Sequence, residues 1–253
     1  MTEETKMRND TCKVWFLLPL AGLLLSASAG SAAASDLWYN GDFDDSNALA
    51  NVIGGVFPDA RVFDDFNVTD KKGWHITSVW SNDLMNYTDA TQASWSIRSG
   101  VSVGDGGTII ASGTDTMTQT STGRSRFGTN EYSVRVSGLD IDLTSGTYWL
   151  QVTPLGAGFD FSRCTTTMGA NAIGTPAGND GNSYFTASQS GIDFRAASDY
   201  LGRRFSDFSM GVDGSVIAAP AVPEPGSPAL LAGIGVFGSL CVLRRRRKNS
   251  AVV

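Results

Sequence analysis

Four stretches of the chain alternate apolar and polar residues with a period of two. In Trp74-His75-Ile76-Thr77-Ser78-Val79-Trp80, the residues Trp74, Ile76 and Trp80 share a face. In Ala93-Ser94-Trp95-Ser96-Ile97-Arg98, Trp95 and Ile97 point one way while Ser94, Ser96 and Arg98 point the other. Glu131–Val136 sets Tyr132, Val134 and Val136 on one side, and Thr147–Val152 does the same with Tyr148, Leu150 and Val152. Neighbouring side chains on a pleated strand leave it in opposite directions, so each stretch reads as a half-buried strand. Lys71-Lys72-Gly73, Gly104-Asp105-Gly106-Gly107, Ser137-Gly138 and Thr144-Ser145-Gly146 separate them as turns. Strand after strand with polar turns implies an all-β, antiparallel β-sandwich of jelly-roll-like type over residues 35–217. Residues 154–204 read as long loops around one or two strands. Tyr184-Phe185 and Phe205–Val212 read as late strands.

The two ends have a different character. Lys6, Arg8 and Lys13 precede an apolar run from Val14 to Leu25, and small residues follow as far as Ala34. A charged stretch, an apolar core and a small-residue zone are the parts of a secretory signal, here a signal helix over 1–34 cleaved by signal peptidase after Ala34. At the other end, 218–228 form a proline-rich linker carrying Pro220, Pro223, Pro225 and Pro228. Residues 229–248 then read as a single membrane helix, Ala229–Leu243, with a basic stop of Arg244, Arg245, Arg246, Arg247 and Lys248. At about 1.5 Å per residue the apolar run reaches roughly 22 Å, short for a permanent anchor. The basic stop is expected to stay cytoplasmic.

Val222-Pro223-Glu224-Pro225, the apolar run and the basic stop, in that order, resemble the PEP-CTERM sorting tail of Gram-negative bacteria, the substrate mark of exosortase-type transpeptidases. The resemblance implies transient insertion in the inner membrane, cleavage near Pro223-Glu224-Pro225, and delivery to the cell envelope or the exterior. The tail family is also sometimes given an ice-binding label. Val62–Val68, Gly73–Ile76 and Gly146–Leu150 are similar to the β-rich bodies of PEP-CTERM surface proteins, which supports the fold and no particular reaction.

Charge and residue types narrow the function. Residues 35–222 hold 21 Asp and Glu against 11 Lys and Arg, a balance of −10 that repels a phosphate backbone and argues against nucleic-acid binding. Cys164 is the one cysteine between the two ends, so no disulfide forms within the body, and it reads as a buried small hydrophobe. Gly100-Val101-Ser102-Val103-Gly104 matches G-x-S-x-G. The single histidine, His75, precedes the serine, however, and Asp105-Gly106-Gly107 begins no helix, so no hydrolase elbow is expected. His75 itself reads as a strand-surface residue.

Four further features could carry function. Asp42, Asp44 and Asp45 offer oxygen ligands for a calcium ion without the EF-hand pattern, and Asn179-Asp180-Gly181-Asn182 offers another such set. Solvated turn carboxylates are the alternative at both. Trp149 shares a face with Thr147 and Gln151, and is either an exposed platform for a sugar or packed under a loop. Thr114, Thr116, Thr118, Thr120 and Thr122 would line one strand face at ~6.8 Å intervals, about 27 Å in all. Such a row could meet polysaccharide or ice, or be an ordinary soluble strand face. No pair of carboxylates stands out for glycoside hydrolysis. The expectation is a non-enzymatic surface or extracellular-matrix protein with a structural or adhesive role. The alternatives are a carbohydrate-binding module of the same fold, a glycoside-acting enzyme or an ice-binding protein.

Overall fold

The computed structural model describes residues 35–178, 180–202 and 207–218. The signal segment ending at Ala34, the sorting motif Val222 to Pro225, the apolar run and the basic stop Arg244 to Lys248 lie outside the described residues. Among the described residues no helix is long and apolar enough to cross a membrane.

Twelve strands account for most of the described chain: β1 (Ser35–Tyr39), β2 (Phe43–Ala50), β3 (Arg61–Val68), β4 (Trp74–Met85), β5 (Gln92–Ser99), β6 (Thr108–Arg126), β7 (Thr129–Leu143), β8 (Gly146–Pro154), β9 (Ser162–Thr167), β10 (Tyr184–Ala187), β11 (Ile192–Ala196) and β12 (Met210–Val216). Every ladder between them is antiparallel, in the order β1-β12-β4-β7-β6-β5-β8-β3-β10-β11, with β9 pairing to both β2 and β4. The four alternating stretches fall inside β4, β5, β7 and β8.

The all-β antiparallel reading holds, but the two layers are arms of one curled sheet. The corner strand is β6. Its residues Thr108 to Thr116 pair with β5, and Met117 to Arg126 pair with β7. A strand that changes partner part-way is how a sheet turns a corner. Met117 sits at the changeover and is the one fully buried residue of β6. Both arms fold onto a shared core. One contributes Ile76 and Val79 from β4 and Val134 and Val136 from β7, the other Ile97, Leu150, Val152 and Phe66 from β5, β8 and β3. A leucine such as Leu150, with no exposed surface, is worth about 1.5–3 kcal/mol by burial alone. Cys164 is buried and free, as expected of a small hydrophobe.

Two expectations about faces and turns are corrected by bulges. Opposite β12, Ile76 and Ser78 pair with the adjacent residues Gly214 and Asp213, which makes Thr77 an extra residue. The alternation therefore inverts, so Trp74 and Ile76 join the core while Trp80 points to the other side. There its indole lies 4.7 Å from the Tyr39 ring, under the Arg135 guanidinium, with Nε1 donating to Asp213 Oδ1 at 3.3 Å. Ser137-Gly138 lies within β7 rather than at a turn. The register slips there and Gly138 adopts φ +80°, which glycine accepts without strain.

Gly211 pairs with Trp80, and any Cβ added to it would overlap the indole ring. Gly211→Ala is therefore expected to lower stability by about 1–3 kcal/mol, the usual range for overpacking. Urea unfolding followed by Trp fluorescence checks this, and an unchanged midpoint would mean that the indole has room to move.

Candidate functional site

The residues that alternate with the core on β3, β5 and β8 face outward and form the floor of a groove. Ser94, Ser96 and Arg98 come from β5, Gln151 from β8, and Arg61 and Phe63 from β3. Thr186 of β10 and Asp193 and Phe194 of β11 close one side, and Ser112, Gly113 and Thr114 of β6 the other. Gly113 leaves room for the Trp95 indole. A Cβ there would stand 3.0 Å from Trp95 Nε1 and 2.7 Å from Asp115 Oδ2, the acceptor of that indole N–H. The groove is open and encloses about 580 Å³, within the span of small-ligand sites. Ser96, Gln151 and Phe63 of its floor are buried, Ser94, Arg98 and Arg61 are half-buried, and its rim, at Ser112, Thr114 and Asp193, is exposed.

The floor is a fixed polar surface. Ser96 Oγ donates to Gln151 Oε1 at 3.0 Å, while Gln151 Nε2 donates to Ser94 O at 2.9 Å and Thr153 Oγ1 at 2.8 Å. The Arg98 guanidinium lies 5.5 Å from the Phe63 ring centre and 5.4 Å from that of Phe194. Its Nη1 donates to Gly106 O at 3.0 Å and its Nε to Ser96 Oγ at 3.4 Å. Burial and the positive Arg61 nearby lower the Arg98 guanidinium below its usual value. Arg61 lies 4.0 Å from the Asp59 carboxylate. Among the described residues Arg98 forms no ion pair.

The residues singled out in the sequence fall partly into this groove. Trp149 is only 8% exposed, and its Nε1 donates to Asn182 O at 3.0 Å. It packs under a loop with Phe63 and Val101, so it is not an exposed platform. Thr114, Thr116, Thr118 and Thr120 are exposed along β6, and only Thr114 lines the groove. Thr122 leaves the row, because the register shifts between Ser121 and Ser125 and its hydroxyl donates to Glu131 Oε2 at 2.5 Å. Ser102 lies in a tight turn, its backbone exchanging hydrogen bonds with Asp105 at 2.9 Å, which is no nucleophile elbow. His75 is half-buried on β4, with Nδ1 2.8 Å from Asp142 Oδ1.

The calcium expectation at Asp42, Asp44 and Asp45 meets a different arrangement. Phe43–Ala50 is a strand, bulged between Phe43 and Ala48, and its carboxylates face separate partners. Asp42 takes the Tyr39 hydroxyl at 2.6 Å, Asn171 at 2.7 Å and Arg124 at 3.1 Å. Asp44 Oδ1 takes Ser46 and Thr166 hydroxyls, and Asp45 pairs with Arg126 at 3.3 Å. In the second set, Asn179 lies outside the described residues. The backbone N–H groups of Asp180 and Gly181 wrap the Asp207 carboxyl, and Asn182 N donates to Asp180 Oδ1. Among the described residues no group of three His, Cys, Asp or Glu side chains is arranged to hold a metal ion.

The groove was hidden from sequence reading because its cations come from strands far apart in the chain. Arg98 gave the only hint, as the charged residue on the polar face of an alternating strand. No curated protein and no solved structure matches the chain. Its C-terminal part does match a family model: residues 221–248 fit the PEP-CTERM protein-sorting motif. The chain thus carries that motif, which implies an exported protein handed to an exosortase and delivered to the cell envelope or beyond.

Proposed function

We propose that the chain is a surface or extracellular-matrix protein of a Gram-negative envelope with a structural or adhesive role, and that its body adheres by contacting polysaccharide through the groove. The match at residues 221–248 carries the sorting part of this reading. The signal segment takes the chain across the inner membrane. The apolar run Ala229–Leu243 holds it there with Arg244 to Lys248 on the cytoplasmic side. The exosortase then cuts near Pro223-Glu224-Pro225 and releases the body. Hydroxyl, amide and aromatic groups converging in an open groove suit the hydroxyls and ring faces of a sugar chain. Among the described residues Asp193 is the carboxylate of the groove lining, whereas glycoside hydrolysis uses a pair.

Mass spectrometry of the protein released by producing cells tests the sorting step. The expected C-terminus lies near Pro223-Glu224-Pro225, and cells lacking the exosortase retain the uncut chain. Released protein that still ends in Arg244 to Lys248 and beyond would sink the model.

A further inference from the structure

We infer that the groove takes a polysaccharide segment bearing carboxylates, a polyuronate, with Arg98 as the residue that grips a carboxylate. The inference rests on the polysaccharide reading above and names the class of sugar. Its first support is a local inversion of charge. The body carries −10 over residues 35–222, yet among the described residues the groove lining itself holds Arg61 and Arg98 against Asp193, with Asp59 and Asp115 at its edge. Arginines gathered in one groove of an acidic body give an anion a local place to bind, while the carboxylates elsewhere repel it.

The second support is the way Arg98 is held. Its two ring contacts, its bond to Gly106 O and its bond to Ser96 Oγ fix the plane of the guanidinium. Gly106 is part of that clamp. A Cβ on it would stand 2.5 Å from the Phe194 ring and 2.9 Å from Arg98 Nη1, so only glycine lets the 104–107 turn close this tightly. The remaining guanidinium N–H groups have no partner among the described residues. A guanidinium fixed in this way loses little entropy on binding and presents the fork that matches a carboxylate. Arg61, tied only loosely to Asp59, supplies a second charge.

The third support is the rest of the lining. Ser112 and Thr114 present exposed hydroxyls on one side of the groove and the half-buried Phe194 ring closes the other, which serves a hydroxylated ring. Two arginines within an acidic surface fit carboxylates one or two at a time. They do not fit the dense charge of a phosphate backbone.

The test uses the full chain purified in detergent and calorimetric titration with three probes. These are oligogalacturonate, the same oligosaccharide with its carboxyls methyl-esterified, and oligomannuronate. At least one of the two acids is expected to bind, with the ester at least about tenfold weaker, because a charge-assisted hydrogen bond is lost. Arg98→Gln and Arg61→Gln are each expected to weaken acid binding about tenfold, with the ester unaffected. Arg61 makes one long surface pair, so its variant keeps the test valid if Arg98→Gln disturbs folding. Equal binding of acid and ester, or acid binding indifferent to both variants, would overturn the inference while leaving the polysaccharide reading standing. Failure to bind all three probes would overturn the inference; dextran is then the probe that decides whether the broader reading fails with it.

Discussion

Replacing Arg124 with methionine is expected to destabilise the body by about 3 kcal/mol, far more than its position on a mostly exposed strand suggests. Arg124 Nε lies 2.5 Å from Glu131 Oε2 and Nη1 lies 3.1 Å from Asp42 Oδ1. Glu131 has no exposed surface. Without Arg124 its other partners are the hydroxyls of Thr122 and Thr165, which do not balance a buried charge. A second substitution, Glu131→Gln, is expected to recover most of the loss, since it removes the orphaned charge. Arg126→Met is the comparison. Its pair with Asp45 is 3.3 Å long with both partners exposed, and losing it should cost under about 1 kcal/mol. Urea midpoints at a constant slope measure all three. Equal effects at Arg124 and Arg126 would show that loss of Arg124 leaves no uncompensated charge at Glu131 in the folded state.

The strands that alternate cleanly were legible because burial on one face imposes a period of two, and β5 and β8 keep it without interruption. β4 was half legible. Val79 and Trp80 are adjacent and both apolar, so the sequence pattern does not show which of them faces inward after the Thr77 bulge. Asp42, Asp44 and Asp45 read as calcium ligands or solvated turn carboxylates, whereas Arg124 pairs with Asp42 and, within β2, Thr166 and Arg126 hold Asp44 and Asp45. β6 was seen only as a row of threonines. Its 19-residue length and its role as the corner depend on which strands it meets, and no local pattern encodes that.

The candidate site was less legible than the fold. Phe63, Arg98 and Phe194 meet only because β3, β8 and β5 lie side by side and β10 and β11 add to the same edge. Trp149 was singled out correctly as the odd aromatic on a polar face. The loop that covers it, through Asn182, is not adjacent in sequence, so the two readings of that residue could be separated only in three dimensions.

The stability of the body is expected to fall as pH rises from about 5 through 7 and to level off by about pH 9. Asp65, Asp83 and Asp207 are pushed up to about 7, and Asp64 well above the usual carboxylate range, in each case first by burial. Repulsion adds to it, from Asp207 and Asp65 on Asp64, and from Asp180 on Asp65 and Asp207. The folded state thus holds these protons more tightly than the unfolded chain, whose carboxyls titrate near 3.9. Their contribution is complete below about pH 4 and is lost as pH climbs through 7. Asp42 opposes this in acid. Burial raises its carboxyl, but the hydrogen bonds from Tyr39 and Asn171 and the charge of Arg124 prevail and hold it low, so its contribution disappears on acidification. The optimum should therefore lie at mildly acidic pH, and most of the loss should be complete by about pH 8. Asp65→Asn isolates the cause, because Asp65 is 3% exposed and its Oδ1 is buried without a hydrogen-bond partner. The variant should gain roughly 2 kcal/mol over the parent at pH 9 and little at pH 5. Urea unfolding across that range measures both, and a parent stability that rises steadily from pH 5 to 9, or a variant with the parent's slope, would show that these carboxyls carry their charge in the fold at no cost.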